Sequence, residues 1–229
     1  MITRNRALLS AVLAVLMMSA LVVAGCAQAP APVPEEQAPP AETTATSVPE
    51  EGQLKIPAYK PNGKETAIFT TSKGEIEVEL FGTDAPIHVG NFVELAESGF
   101  YADTKFHRFE EGFVVQGGDP QSKEMTSEEV IAEVASQATV LGTGGPGHMI
   151  KGEFDPATNP NKHTEGALGM ARSQSPDSAG SQFYFTLSES PFLDGNYTVF
   201  GQVIKGLDVM QQLRVGDTVD KIVIVGATK

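Results

Sequence analysis

The chain has 229 residues, 41% hydrophobic and 20% charged, with 23 Gly, 15 Pro, one Cys and no Trp. That length fits one medium domain with appendages and would cramp a second. A single Cys excludes an intramolecular disulfide framework and a Cys-based zinc finger. The formal net charge of −13 leaves no basic surface to replace phosphate counterions, which argues against nucleic acid as a partner.

Residues 1–25 read as a targeting segment. Arg4 and Arg6 precede a small-and-apolar run from Ala7 to Ala24, interrupted only by Ser10 and Ser19. The run ends in Leu21-Val22-Val23-Ala24-Gly25-Cys26, which resembles a bacterial lipobox, and the lone Cys stands at the position that would receive lipid. An uncleaved anchor and an ordinary secretory signal are the alternatives, and all three export the downstream chain. The expectation is a lipoprotein anchored to a membrane through Cys26. It would sit on the outer face of the cytoplasmic membrane, or in the periplasm or outer membrane of a two-membrane cell.

Residues 26–57 form a tether. Pro30, Pro32, Pro34, Pro39, Pro40 and Pro49 punctuate it and large apolar side chains are scarce, so it cannot bury enough surface to offset its ordering entropy. Extended Pro-rich chain at ~3.1 Å per residue would stand the domain off by up to roughly 90 Å.

The folded domain is expected over 58–229. Ala67 to Thr71 and Glu75 to Leu80 flank Ser72-Lys73-Gly74 and read as a β-hairpin, the second strand alternating acid with apolar. Thr83-Asp84-Ala85-Pro86 opens a helix with a polar cap and an early Pro; it carries Val89, Phe92, Val93, Leu95 and Ala96 and stops at Ser98-Gly99. Short apolar runs come next at Lys105 to Phe109, Phe113 to Gln116, Ala167 to Ala171, Gln182 to Leu187, Thr198 to Val203 and Lys221 to Val225, with a helix over Leu207 to Leu213. Many short strands with Gly-rich turns and few helices indicate an antiparallel barrel or sandwich.

Familiar catalytic signals fail in turn. Gly142 to Gly147 satisfies G-x-G-x-x-G, but Pro146 and the residues after it open no helix, so a phosphate cradle is excluded. His88, His107, His148 and His163 lack metal-ligand spacing, and no G-x-S-x-G elbow exists. No metal and no cofactor is expected. Glu110 and Glu111, being adjacent, point apart and read as a solvated edge.

What remains is a distributed set. Phe106 to Pro120 reads FHRFEEGFVVQGGDP and resembles the FHR…GF…QGGD signature of the cyclophilins, the peptidyl-prolyl cis/trans isomerases. Matching blocks recur in order at Gly142 to Gly147, Gly166 to Arg172, Gly180 to Tyr184 and Leu193 to Gly201, covering about Ala67 to Val225. The resemblance implies a mainly β fold, a closed eight-stranded antiparallel barrel capped by two α-helices, with the groove on its outer surface. It implies Arg108 and Gln116 as catalytic residues. The substrate-binding set would be Phe113, Val114, Gly142, Ala171, Arg172, Gln182, Tyr184, Phe192, Leu193 and Tyr197. Within it, Phe113, Val114, Tyr184 and Leu193 would hold the proline ring, and Ala171 and Arg172 would present backbone to the peptide preceding proline. Pro-containing polypeptides are the implied partners of a monomeric enzyme; a Pro-segment-binding chaperone or adaptor with little turnover is the alternative.

Departures from the family pattern are Phe192 where many eukaryotic members have Trp, Tyr197 for His, Arg172 for Asn and Val114 for Met. A further departure is an insert at about 121–141. There Thr126-x-x-Glu129 is a capping-box pattern, and Val130, Ile131, Val134 and Ala138 fall on one face of an expected short helix.

Overall fold

The structure is a computed structural model that describes residues 54–227. The expected signal peptide, Cys26 and most of the tether lie outside the described residues. Strands β1 (Thr66–Thr71) and β2 (Gly74–Leu80) form the expected hairpin. Helix α1 (Pro86–Glu97) comes next, then β3 (Thr104–Lys105), β4 (Arg108–Glu110) and β5 (Val114–Gly117). The insert carries α2 (Ser127–Ala135). Strands β6 (Ala167–Met170), β7 (Phe183–Thr186) and β8 (Val199–Lys205), helix α3 (Leu207–Met210) and β9 (Thr218–Val225) complete the chain.

The fold is mainly β. One curled antiparallel sheet runs β3-β9-β1-β2-β8-β6-β7-β5-β4. Its two edge segments belong to one stretch of chain. The Phe106 N–H donates to Asp217 on the β9 side, and the His107 N–H donates to Gln116 on the β5 side. The nine segments thus approximate the expected eight-stranded barrel, with β3 and β4 a single strand that switches partner at Phe106-His107.

Strand alternation fills the interior with aromatic rings. Phe69, Phe92, Tyr101, Phe106, Phe183, Phe185 and Phe200 are fully buried, with neighbouring centroids 5.1–6.2 Å apart. Offset and edge-on ring pairs each add about 0.5–1.5 kcal/mol beyond their area. Helix α1 lays Val89, Phe92, Val93 and Ala96 onto this core.

Three local expectations change. Helix α1 takes no side-chain cap from Thr83 or Asp84; its N-cap is Ala85. Glu153 supplies the missing acceptors, receiving the Ile87 N–H at 3.0 Å and the His88 N–H at 2.8 Å. A carboxylate there also complements the helix dipole. Helix α3 ends at Met210, and Gln212 and Leu213 continue it only as i→i−3 turns. In the insert the capping box forms as expected between Thr126 and Glu129, but the apolar face is narrower than four residues. Val130 alone is buried, Ile131 is half exposed, and Ala138 lies beyond the helix end.

Val130 therefore anchors α2. Replacing residues 124–139 by a Gly-containing turn should keep unfolding cooperative while lowering stability by about 1.5–3 kcal/mol, the worth of one buried aliphatic side chain. Urea unfolding monitored by circular dichroism checks this. Loss of the cooperative transition would show that α2 is part of the core.

Candidate active site

Register builds the site. Arg108 pairs with Gln116 across β4–β5, Gln116 with Tyr184 across β5–β7, and Tyr184 with Gly169 across β7–β6. These four residues therefore form one row on the outer face of the sheet. Their strand neighbours Val115, Phe183 and Phe185 point into the barrel. Gly169 is required in that row: a Cβ there would lie 2.3 Å from the Tyr184 ring.

A cavity of ≈ 190 Å3 opens over the row, lined by Arg108, Phe113, Val114, Gln116, Ala171, Arg172, Tyr184, Leu193 and Tyr197. Nine of the residues singled out from the sequence thus meet at one place. Phe192 does not line it. It is 68% exposed and stacks outside Phe113 with centroids 5.3 Å apart. Gly142 and Gln182 line a second cavity that shares Gln116, Ala171 and Arg172 with the first.

A hydrogen-bonded chain runs between the two cavities. Arg108 Nη1 donates to Gln116 Oε1 at 3.2 Å, Gln116 Nε2 to Gln182 Oε1 at 2.9 Å, and Gln182 Nε2 to the Gly144 carbonyl at 2.8 Å. Asp119 anchors its far end. This fully buried carboxylate accepts the Gly142 and Gly144 N–H groups on Oδ2 and that of Gln121 on Oδ1. The Gly142 to Gly147 stretch is thus a turn cradled on a carboxylate rather than a phosphate loop.

Two supports were missed from sequence. Glu110 Oε1 accepts from both Arg108 Nε (2.9 Å) and Nη2, so it is a partner of the arginine and not only a solvated edge. Beneath the cavity, His163 joins Asp194 to Tyr184: Nδ1 lies 2.8 Å from Asp194 Oδ1, and Nε2 lies 2.9 Å from the Tyr184 hydroxyl. Burial holds His163 below its ordinary value against the opposing pull of Asp194. Burial likewise pushes the Tyr184 hydroxyl up. A neutral His163 donates from Nδ1 to the carboxylate and accepts the Tyr184 proton at Nε2, which fixes the ring of Tyr184 as the cavity floor. His107 is buried with neither ring nitrogen hydrogen-bonded among the described residues.

Comparison with known proteins gives the family. The family model for "Cyclophilin type peptidyl-prolyl cis-trans isomerase/CLD" matches residues 66–228. The chain belongs to the cyclophilin-type peptidyl-prolyl cis-trans isomerases. It is 43% identical over 159 residues to a peptidyl-prolyl cis-trans isomerase of Helicobacter pylori strain 26695, covering 69% of this chain and 85% of that one. It is 38% identical over 163 residues to peptidyl-prolyl cis-trans isomerase B of Bacillus subtilis, covering 71% and 99%. Among solved structures, a cyclophilin-type isomerase of Cryptosporidium parvum superposes with a TM-score of 0.58 at 28% identity, over 72% of this chain and 99% of that one. The same protein was also solved in the presence of the dipeptide Ala-Pro, with a TM-score of 0.55 at 30% identity, over 72% and 99%.

Buried and half-buried histidines make a pH prediction. His107, His148 and His163 are all held below the ordinary value of 6.5, chiefly by burial. The unfolded chain therefore binds protons that the fold resists, so this stabilisation is complete above pH ~6.5 and is lost as pH falls toward the folded values. Depressed carboxylates add their loss only below their ordinary 3.8–4.5 range. The urea midpoint should fall between pH 7 and pH 5; an unchanged midpoint would mean that the folded protein protonates these rings as readily as the unfolded chain does.

Proposed function

We propose that this isomerase works outside the cytoplasmic membrane, tethered through Cys26, and accelerates X-Pro rotation in exported polypeptides through Arg108 and the pocket below it. The export half rests on the Arg4/Arg6 charges, the apolar run to Ala24 and the lipobox-like ending at the lone Cys. The catalytic half rests on one observation above all: a guanidinium fixed from two sides at the rim of an aromatic-walled pocket.

Rotation of the peptide bond costs ~18–20 kcal/mol because resonance gives C–N partial double-bond character, and X-Pro bonds interconvert in tens of seconds or more. No nucleophile, metal or redox group is required; the site need only bind the twisted amide better than either planar form. Phe113, Val114, Tyr184 and Leu193 hold the proline ring, a role consistent with the Ala-Pro dipeptide used with the Cryptosporidium parvum relative. On twisting, the imide nitrogen recovers its lone pair and becomes an acceptor. Arg108 is the donor aimed at it. Three of its five N–H groups are engaged by Glu110 and Gln116, leaving one on each Nη. Gln116 holds that orientation, and the Gln182 link ties it to the loop carrying Gly142.

Arg108→Ala should cut turnover ten- to a hundredfold or more while leaving much of the peptide affinity, the signature of an interaction made mainly in the transition state. The basis is a charge-assisted hydrogen bond of ~1.5–3 kcal/mol. Phe113→Ala should do the reverse and weaken binding strongly. Isomer-exchange NMR on one X-Pro peptide, with circular dichroism for folding, reads both. Near-normal turnover in Arg108→Ala would make the arginine structural and favour a binding module.

For the anchor, the mature membrane fraction should carry a lipid mass at Cys26, and Cys26→Ser should leave the chain unprocessed. Mature protein with an unmodified Cys26 would contradict it.

A further inference from the structure

Two guanidinium groups line the groove, and their electrostatic circumstances differ. Arg108 is paired with the Glu110 carboxylate. Arg172 makes no ion pair among the described residues. Its hydrogen bonds go to neutral carbonyls: Nε to Asn196 at 3.0 Å, Nη1 to Ser173 at 2.9 Å and to Gln174 at 3.3 Å. Its Nη2 makes none of these bonds. The guanidinium lies over two rings, 4.5 Å from the Tyr197 centroid and 5.7 Å from that of Phe154. Stacking and three carbonyls hold the group in place, while its charge stays uncompensated.

Its position is equally specific. Arg172 lines both cavities, on the ridge where the first passes into the second. Among the residues lining the second cavity it carries the one full charge; the rest are Gly, Gln, Ser, Thr, Pro, Met and Ala, with His148 held below its ordinary value by burial. The carboxylate behind that lining, Asp119, is buried and engaged by the Gly142, Gly144 and Gln121 N–H groups. A half-buried cation with an unengaged Nη2 among the described residues therefore stands at the cavity mouth with the chemistry to take a carboxylate.

We propose that Arg172 is a specificity-determining residue that recruits X-Pro segments carrying a Glu or Asp beside the proline, on the side that runs toward the second cavity. This rests on the reading of the first cavity as the proline site. Extended chain advances ~3.3 Å per residue, so the acidic side chain belongs within three residues of the proline. At the opposite end Arg108 is already neutralised by Glu110, so an acid there gains nothing.

The test is a set of otherwise uncharged X-Pro peptides with a single Glu at each of three positions before and three after the proline, each matched to its Gln counterpart. Isomer-exchange NMR gives kcat/KM for each at low salt. The native protein should favour Glu about fivefold at one or two adjoining positions on one side only, and 1 M salt should erase the preference. The Glu/Gln ratio should fall to about one in Arg172→Gln and persist in Arg172→Lys. If Arg172→Gln turns over too slowly, the ratio of Kd values from chemical-shift titration replaces it. A native ratio near one at all six positions would overturn the proposal, as would a preference that survives Arg172→Gln. Turnover of the Gln peptides by the native protein reports separately on the proline site, so failure of the carboxylate receptor is distinguishable from failure of that site.

Discussion

The two-residue period of β4, β5 and β7 is the constraint on which the rest depends. It sends Val115, Phe183 and Phe185 into the barrel and Arg108, Gln116 and Tyr184 onto its outer face. Slipping β4 by a residue would turn Arg108 inward, slipping β5 would exchange Val115 for Gln116, and slipping β7 would expose Phe183 and Phe185. The energy that fixes register is therefore the burial of the aromatic core, and the proposed active groove is set by the same pairing. Stability and function meet in one register.

That pairing alone would place a long, mobile arginine over a pocket. Polar contacts give it a direction. Glu110 holds one edge of the guanidinium, and Gln116, backed by Gln182 and the Gly144 carbonyl, holds another. The Asp119 carboxylate in turn fixes the Gly142–Gly144 backbone. On the other side of the pocket, Asp194 and His163 hold the Tyr184 hydroxyl. On the proposed mechanism, preferential binding of a twisted amide needs no reactive group but cannot tolerate loose donors, and the supporting atoms here are spent on orientation.

Much of this was legible in the sequence because it is local. Alternation in Glu75 to Leu80 marked β2, the Thr126–Glu129 spacing marked the cap of α2, and the signature blocks named all nine residues lining the first cavity. What escaped depended on distant partners. The cap of α1 comes from Glu153, 65–66 positions along the chain from the N–H groups it receives, and no local pattern encodes it. The His163–Asp194–Tyr184 link spans three separate loops and strands, and the exposure of Phe192 depends on a turn that swings it past Phe113. The Glu110 contact is a local one: two residues beyond Arg108 on a strand, Glu110 shares its face, a relation that its adjacency to Glu111 obscures. The narrow apolar face of α2 shows the converse, since helical spacing identified Ile131 and Ala138 as facing residues without knowing how little of the barrel they could reach.

The central claim is that a positioned fork, and not merely a positive charge at the rim, stabilises the twisted amide. Arg108→Lys keeps the charge but loses the planar array of donors held by Glu110 and Gln116. Isomer-exchange NMR on a single X-Pro peptide should show at least a tenfold loss of turnover in this variant with peptide affinity nearly retained. Turnover close to that of the native protein would mean that charge alone suffices, and the account of an oriented guanidinium would be wrong.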